Sequence, residues 1–348
     1  MRKLRERRAA GTRKFSRRAK VWISIGTALA VIVVGTGTTY AVVRHNINAK
    51  INHVAVEFPV HVPTRTPETT QPSTKPVEGK KDPINILMLG SDSRASGGDP
   101  TNWQAGGQRS DVMMLIQISG DRNSVNVMSI PRDSWVPIDG HGDAKINAAF
   151  SWGGPELAIS TVQNLTGVTI DHFAIVDFAS FEKLTDELGG VNIATASGEK
   201  HMNGTEALTF VRERHSLPQG DFDRVRRQQA WIKSILSAVF ENGALKSPTK
   251  VASLINIVLD YSAVDQGINF DYMAGLALEV KDLRPAGVQF ITAPYTGTGR
   301  SPDGAQSIVV LDRGKLDPLM EAWRNDDVAA YIAANPDAVP KLGDRPVA

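Results

Sequence analysis

Apolar runs and alternations divide the chain into stretches of different character. Val21 to Val43 (VWISIGTALAVIVVGTGTTYAVV) is 23 residues without a charge. At 1.5 Å per residue that length suffices for a hydrocarbon core of about 30 Å, so the run predicts a transmembrane helix. Glu57 to Lys80 has no apolar periodicity and is punctuated by Pro59, Pro63, Pro67, Pro72 and Pro76. It reads as a linker that, as polyproline II, reaches on the order of 75 Å. From Asp82 onward, apolar strands alternate with amphipathic helical periodicity and no low-complexity break intervenes. The pattern predicts strands at Ile84 to Leu89, Val112 to Ile118, Val125 to Ile130, Phe173 to Val176, Ala207 to Arg214 and Val288 to Ala293. It predicts helices at Pro155 to Leu165, with Gly167 beyond its end, at Phe178 to Leu188 and at Arg224 to Phe240. The expected organisation is a tail over 1–20, a membrane helix over 21–43, a linker over 44–81 and one α/β domain over 82–348.

Charge adds orientation. The net charge of +2 conceals ten Lys or Arg against Glu6 alone in residues 1–20, so that tail is +9 and the remainder −7. A basic flank stays cytoplasmic under the positive-inside rule, which places the C-terminal domain outside the cell. A cleaved signal peptide is the competing reading, but the run exceeds a usual apolar h-region and no A-x-A site follows. An acidic body argues against wholesale nucleic-acid binding, so attraction to phosphate must come from local arginine clusters. The absence of cysteine excludes disulfides, thiolate zinc sites and a cysteine nucleophile.

Such clusters exist. The strand INILMLG runs into Ser91-Asp92-Ser93-Arg94, delivering an Asp and an Arg to a strand end, where open α/β sheets hold ligands. Arg109-Ser110-Asp111 opens a second strand, and a third returns to Pro131-Arg132-Asp133 after a turn near Gly120 to Ser124. In a hairpin of those lengths Arg109, Asp111 and Arg132 meet at one end of the sheet. Arg212 and Arg214, two apart on a predicted strand, would project from one face. Arg224, Arg227, Gln228 and Trp231 share one face of the following helix, with Val225, Ile232, Leu236 and Val239 as the opposite, core-facing stripe. A solvated basic face balanced by Glu213, Asp221 and Asp223 is the bland alternative. Two carboxylates and about seven arginines suit a diphosphate: magnesium takes one or two carboxylates, here Asp92 and Asp111, and completes its shell with water and phosphate oxygens. Arginine forks grip phosphate bidentately.

Phosphate-loop, H-E-x-x-H, G-x-S-x-G and complete G-x-G-x-x-G motifs are absent. Ser180 to Lys183 fits S-x-x-K but sits in an amphipathic helix pattern without a K-T-G partner. His215 is a candidate base or phosphate contact and equally a plain structural histidine.

The succession LGSDSR, RSDVMML, VMSIPRDSWVPI, KINAAFSWGG, LGGVNI, NGTEALTFVRERH and GDFDRVRRQQ resembles the LytR-CpsA-Psr (LCP) domain, in order, across most of residues 82–240. The wording LPQGDFDRVRRQQ looks most like actinobacterial members. The resemblance implies a central mixed sheet flanked by helices, and a hydrophobic groove for a polyprenyl chain ending at an arginine-rich pocket. By motif, Asp92 and Asp111 match magnesium-binding aspartates, with manganese a substitute. Arg109, Arg132, Arg212, Arg214, Arg224 and Gln228 match diphosphate-contacting positions, while Arg94, Lys145, Asn147 and Arg227 lie in neighbouring motifs. The implied activity is transfer of a polyprenyl-diphosphate-linked glycopolymer onto peptidoglycan, with a phosphodiester formed and polyprenyl phosphate released. The rivals are a phosphohydrolase acting on the same lipids and a non-catalytic envelope regulator.

Overall fold

The computed structural model describes residues 40–59, 80–91, 110–213, 217–241, 247–343 and 346–348. Asp92, Arg94, Arg109, Arg214 and His215, most of the linker and the membrane run up to residue 39 lie outside them. Two compact units divide the chain at residues 49 and 50. In the first, residues 40–49 are helical. Among the described residues no helix is long and apolar enough to cross a membrane.

The second unit is built on a seven-stranded mixed sheet. Strands β1 (Asn52–His53), β2 (Ile84–Ser91), β3 (Val112–Ile118), β4 (Val125–Ser129), β7 (His172–Asp177), β10 (Ser262–Val264) and β11 (Val288–Thr292) lie in the order β1-β10-β7-β2-β3-β4-β11. Pairs β2/β7, β4/β11 and β1/β10 are parallel, and β2/β3, β3/β4 and β7/β10 antiparallel. Three two-stranded ribbons accompany it: β5 (Trp135–Ile138) with β6 (Gly142–Lys145), β8 (Val191–Thr195) with β9 (Gly198–Met202), and β12 (Tyr295–Arg300) with β13 (Ser307–Leu311).

Helices cover both faces, which is why β3 reads VMMLIQI without clean alternation. Met113 and Leu115 point into one core with Leu87, Leu89 and Met128, closed by α1 (Asn147–Thr166), α7 (Arg313–Arg324) and α8 (Val328–Ala334). Val112 and Met114 point into the other, closed by α2 (Phe178–Glu187), α3 (Gly204–Arg212), α4 (Asp221–Glu241) and α5 (Pro248–Asp260). A further helix, α6 (Phe270–Glu279), follows β10 and buries none of its residues. A mixed sheet between helical layers is the architecture that the resemblance implied.

Three expectations change. The folded unit reaches back past Asp82, since β1 forms the sheet's edge and Ile51 is buried. Where a strand was expected from Ala207, Gly204–Arg212 is helical, started by Asn203, whose side chain accepts from the Glu206 amide while Glu206 reaches back to the Asn203 amide. Arg212 therefore ends a helix rather than lying on a strand face, and Arg214 lies outside the described residues. Finally, α1 begins earlier than Pro155; non-helical Gly153 and Gly154 interrupt it, and the segment from Pro155 runs on to a left-handed Gly167 cap.

Candidate functional site

The β3–β4 hairpin pairs Met114 with Ser129 and Leu115 with Met128, and Asp111 and Arg132 lie just beyond the open end of this ladder. Ile130 N donates to Met113 O at 2.9 Å, and the Arg132 guanidinium donates through Nη1 to Asp111 Oδ1. Asp111 is tied to the neighbouring strand as well, its amide donating to Gly90 O at 3.1 Å. The next residue of β2, Ser91, pairs with Asp177 at the end of β7. Arg212 stands over the ring of Phe178, which follows Asp177, at 5.8 Å. The carboxyl ends of parallel β2 and β7 thus form the floor on which these charges collect, where open α/β sheets place their ligands.

Helix α4 closes the cluster. Arg224 Nη2 forms an ion pair with Asp221 Oδ1 one turn before it, and Arg132 Nε lies 3.7 Å from that same oxygen. Lys145 Nζ, at the end of β6, is 3.1 Å from Asp133 Oδ1. Asn147, which opens α1, is buried, and its amide donates to Arg132 O at 3.2 Å. The structure therefore gathers Asp111, Arg132, Asp133, Lys145, Asn147, Asp221 and Arg224. Sequence reasoning gave no role to Asp133 and took Asp221 only as balancing charge; the tripeptide Pro131-Arg132-Asp133 and the Asp221/Arg224 spacing of one turn were the available signals.

Burial shapes the electrostatics. Burial works against the Arg132 charge, but Asp221, Asp111 and Asp133 together outweigh it and hold its pKa above the ordinary arginine value. Burial pushes the Asp221 carboxyl up, against the pull of Arg224 and Arg132. Among the described residues Arg132 Nε and Asp221 Oδ2 are buried without a hydrogen-bond partner. Arg132, Arg224 and Lys145 balance Asp111, Asp133 and Asp221, so this part of the site is neutral. A diphosphate entering it brings charge that needs further cations.

Arg227, Gln229 and Trp231 of α4 make contacts that hold the fold together. Residues 223 to 231 are buried without interruption. Trp231, expected on the arginine face, lies in the core and donates to Thr185 Oγ1 at 2.8 Å, so the expected division into ligand and core faces does not hold. Arg227 donates to Phe210 O and to Ala348 O, both at 2.7 Å, and stacks on the Phe210 ring at 4.0 Å. Its guanidinium thus ties α3 and the 346–348 segment to α4. Gln228 is buried one turn beyond Arg224. Gln229, unremarked in the sequence, donates to Ser129 Oγ at 2.9 Å and Ile291 O at 2.8 Å and fixes α4 across the ends of β4 and β11.

Among the described residues no group of three or more His, Asp or Glu is arranged to hold a metal unaided. Asp111 offers one carboxylate, about a third exposed. That fits magnesium, which commonly takes one or two carboxylates and fills its octahedron from phosphate and water.

Known proteins resemble this chain in sequence and in fold. The model of the LytR_cpsA_psr family matches residues 47–324. The cell wall biosynthesis protein LcpA of Corynebacterium glutamicum is 31% identical over 277 residues, covering 66% of this chain and 53% of LcpA. The chain thus spans about half of LcpA's length. The polyisoprenyl-teichoic acid–peptidoglycan teichoic acid transferase TagU of Bacillus cereus is 31% identical over 228 residues, covering 62% of this chain and 69% of TagU. The crystal structure of B. subtilis TagV superposes with a TM-score of 0.57 at 23% identity, covering 71% of this chain and 98% of TagV, a likeness of fold.

Proposed function

The chain belongs to the LytR-CpsA-Psr family, of the actinobacterial type to which LcpA also points, and we propose that it transfers a polyprenyl-diphosphate-linked glycopolymer onto peptidoglycan. The observation that carries this reading is the joining of Asp111, Arg132, Asp221 and Arg224 at one end of the sheet's strands. Guanidinium groups so held, beside a carboxylate able to share a cation, match a diphosphate better than a neutral ligand. The name of TagU supports the glycopolymer donor and the peptidoglycan acceptor. In this reading Val21 to Val43 anchors the chain in the cell membrane, with the tail cytoplasmic and the domain outside.

An acceptor hydroxyl, the muramic acid 6-OH, attacks the sugar-proximal phosphorus. The new O–P bond forms as the bond to the bridging oxygen breaks, and polyprenyl phosphate leaves. Arg132 and Arg224, with Arg109, Arg212 and Arg214, grip the diphosphate and stabilise charge gathering on the bridging oxygen. Asp221, its carboxyl raised by burial and Oδ2 without a partner among the described residues, takes the hydroxyl proton. Asp111 and Asp92 would hold magnesium, which when bound neutralises charge on the phosphate oxygens.

The test uses the full chain in detergent with labelled polyprenyl-diphosphate glycan and peptidoglycan oligomers, with magnesium or with chelator. Label on the acceptor through a phosphodiester, in the presence of magnesium alone, is the expected result. Release of polyprenyl phosphate without acceptor labelling would replace the reading with a phosphohydrolase. No turnover would leave a binding or regulatory protein.

A further inference from the structure

Two aromatic rings stand exposed on the elements that lead to the charged cluster, and neither has a part in the chemistry above. Trp152 of α1 is 43% exposed, a large apolar area to leave in water. His141, at the turn between β5 and β6, stacks on it with ring centroids 4.8 Å apart and planes inclined by 30°. Both are presented by backbone that needs glycine. His141 lies between Gly140 and Gly142, at φ 76° and 74°, and Trp152 is followed by non-helical Gly153 and by Gly154 at φ 65°. The turn is also braced: Asp139 Oδ2 accepts from Ser160 Oγ at 2.8 Å and Asn164 Nδ2 at 2.9 Å, both on α1, and His141 N donates to Ile138 O at 3.0 Å. The stack is thus a preorganised surface rather than a loose pair of side chains.

Its position is set by the same two elements that enter the cluster. Strand β6 leads from the turn to Lys145, four residues on and roughly 13 Å away at strand rise. Helix α1 leads from Asn147 to Trp152, five residues and about 8 Å of helical rise. That separation is the length of two or three sugar rings.

We propose that the His141–Trp152 stack is the platform that holds the peptidoglycan acceptor strand, taking the apolar face of an N-acetylated pyranose ring. Aromatic faces carry negative charge density that attracts the polarised C–H groups of a sugar. The proposal rests on the transfer reading, and the difference between the two substrates decides the occupant. The donor is tethered through its diphosphate to arginines, whereas an acceptor strand lacks phosphate and must be held by its rings. Exposed Asp143 beside the turn adds a hydrogen-bond acceptor for hydroxyl or amide groups.

Binding of a soluble tetrasaccharide of alternating N-acetylglucosamine and N-acetylmuramic acid, measured by calorimetry on the full chain in detergent, tests this without turnover. Trp152→Ala is expected to weaken binding by about tenfold or more, the scale on which truncating a contact tryptophan acts, and Trp152→Phe to recover most of it. In transfer, the Ala variant raises the KM for acceptor and leaves the KM for donor unchanged. Equal tetrasaccharide affinity in wild type and Trp152→Ala, or no wild-type binding, overturns the proposal. So does a loss confined to donor KM, which would assign the stack to the donor glycan. Trp152-dependent binding by a protein that transfers nothing would refute the transferase reading and leave the platform standing. Because Trp152 is exposed, unchanged melting temperatures are expected to accompany these results.

Discussion

Replacing Arg132 by Ala removes the cation that Asp111, Asp133 and Asp221 share. At a separation of about 4 Å and an effective dielectric near 20, each such pair is worth about 4 kcal/mol before desolvation is charged against it. Removing one partner of a buried pair typically costs about 3–5 kcal/mol. Asp111 is about a third exposed and the Arg132 side chain 18%, so solvent screening lowers the expectation to about 2–3 kcal/mol of stability. Much of that loss comes from Asp221, whose carboxyl is already raised by burial and then loses one of its two arginines. Asp221→Asn in the Arg132→Ala background is therefore expected to return about 1–2 kcal/mol, as leaving a buried charge unpaired is what costs most. Urea unfolding of the wild type, both single variants and the double variant at pH 7 closes the cycle. Transfer activity behaves differently: Arg132→Ala loses a charge-assisted bond to phosphate, about 1.5–3 kcal/mol or tenfold to more than a hundredfold, and Asp221→Asn does not restore it. Additivity of the two substitutions within about 0.5 kcal/mol would refute the coupling.

Four further outcomes follow from the same structure. A raised folded-state pKa makes the native state of Asp221 bind protons more tightly than the unfolded chain, so stability falls as pH rises from about 4 through the raised value; Asp221→Asn should flatten that part of a pH series of urea midpoints, and an unchanged slope would refute the assignment. Asp265 is the opposite case: burial opposes its charge, but bonds from His172, Phe173 and Gly267 hold its pKa down, so the stability it contributes above about pH 4 is lost as pH falls through the lowered value, and Asp265→Asn should lessen the acid sensitivity of the melting temperature. Arg227→Met should lower stability by about 1–3 kcal/mol through the loss of its two carbonyl contacts, read as a shift in the urea midpoint; no shift would return Arg227 to the ligand-binding set. Chelator should abolish transfer while leaving the melting temperature unchanged, because Asp111, the described residue proposed to hold the metal, is about a third exposed rather than part of the core.

Much of the site was legible in the chain itself. The apolar runs of β3 and β4, the short turn between them and the polar residues at their open ends make a hairpin whose register follows from local lengths, and Asp111 meets Arg132 as that spacing requires. The order of motifs likewise carried the family. What local pattern could not carry depends on contacts far apart in sequence. The segment after Asn203 has the β-branched and aromatic content of a strand, yet Ala207 and Val211 are buried one helical turn apart beneath α4, and packing overrode propensity. Helix α4 is buried around its first half, so the rule that an apolar stripe faces the core and a polar face meets ligand had no face left to assign. Arginines alike in sequence consequently took unlike tasks. Arg224 turns to Asp221 at the site and Arg227 to two backbone carbonyls, a division set by which partner the tertiary fold brings to each guanidinium.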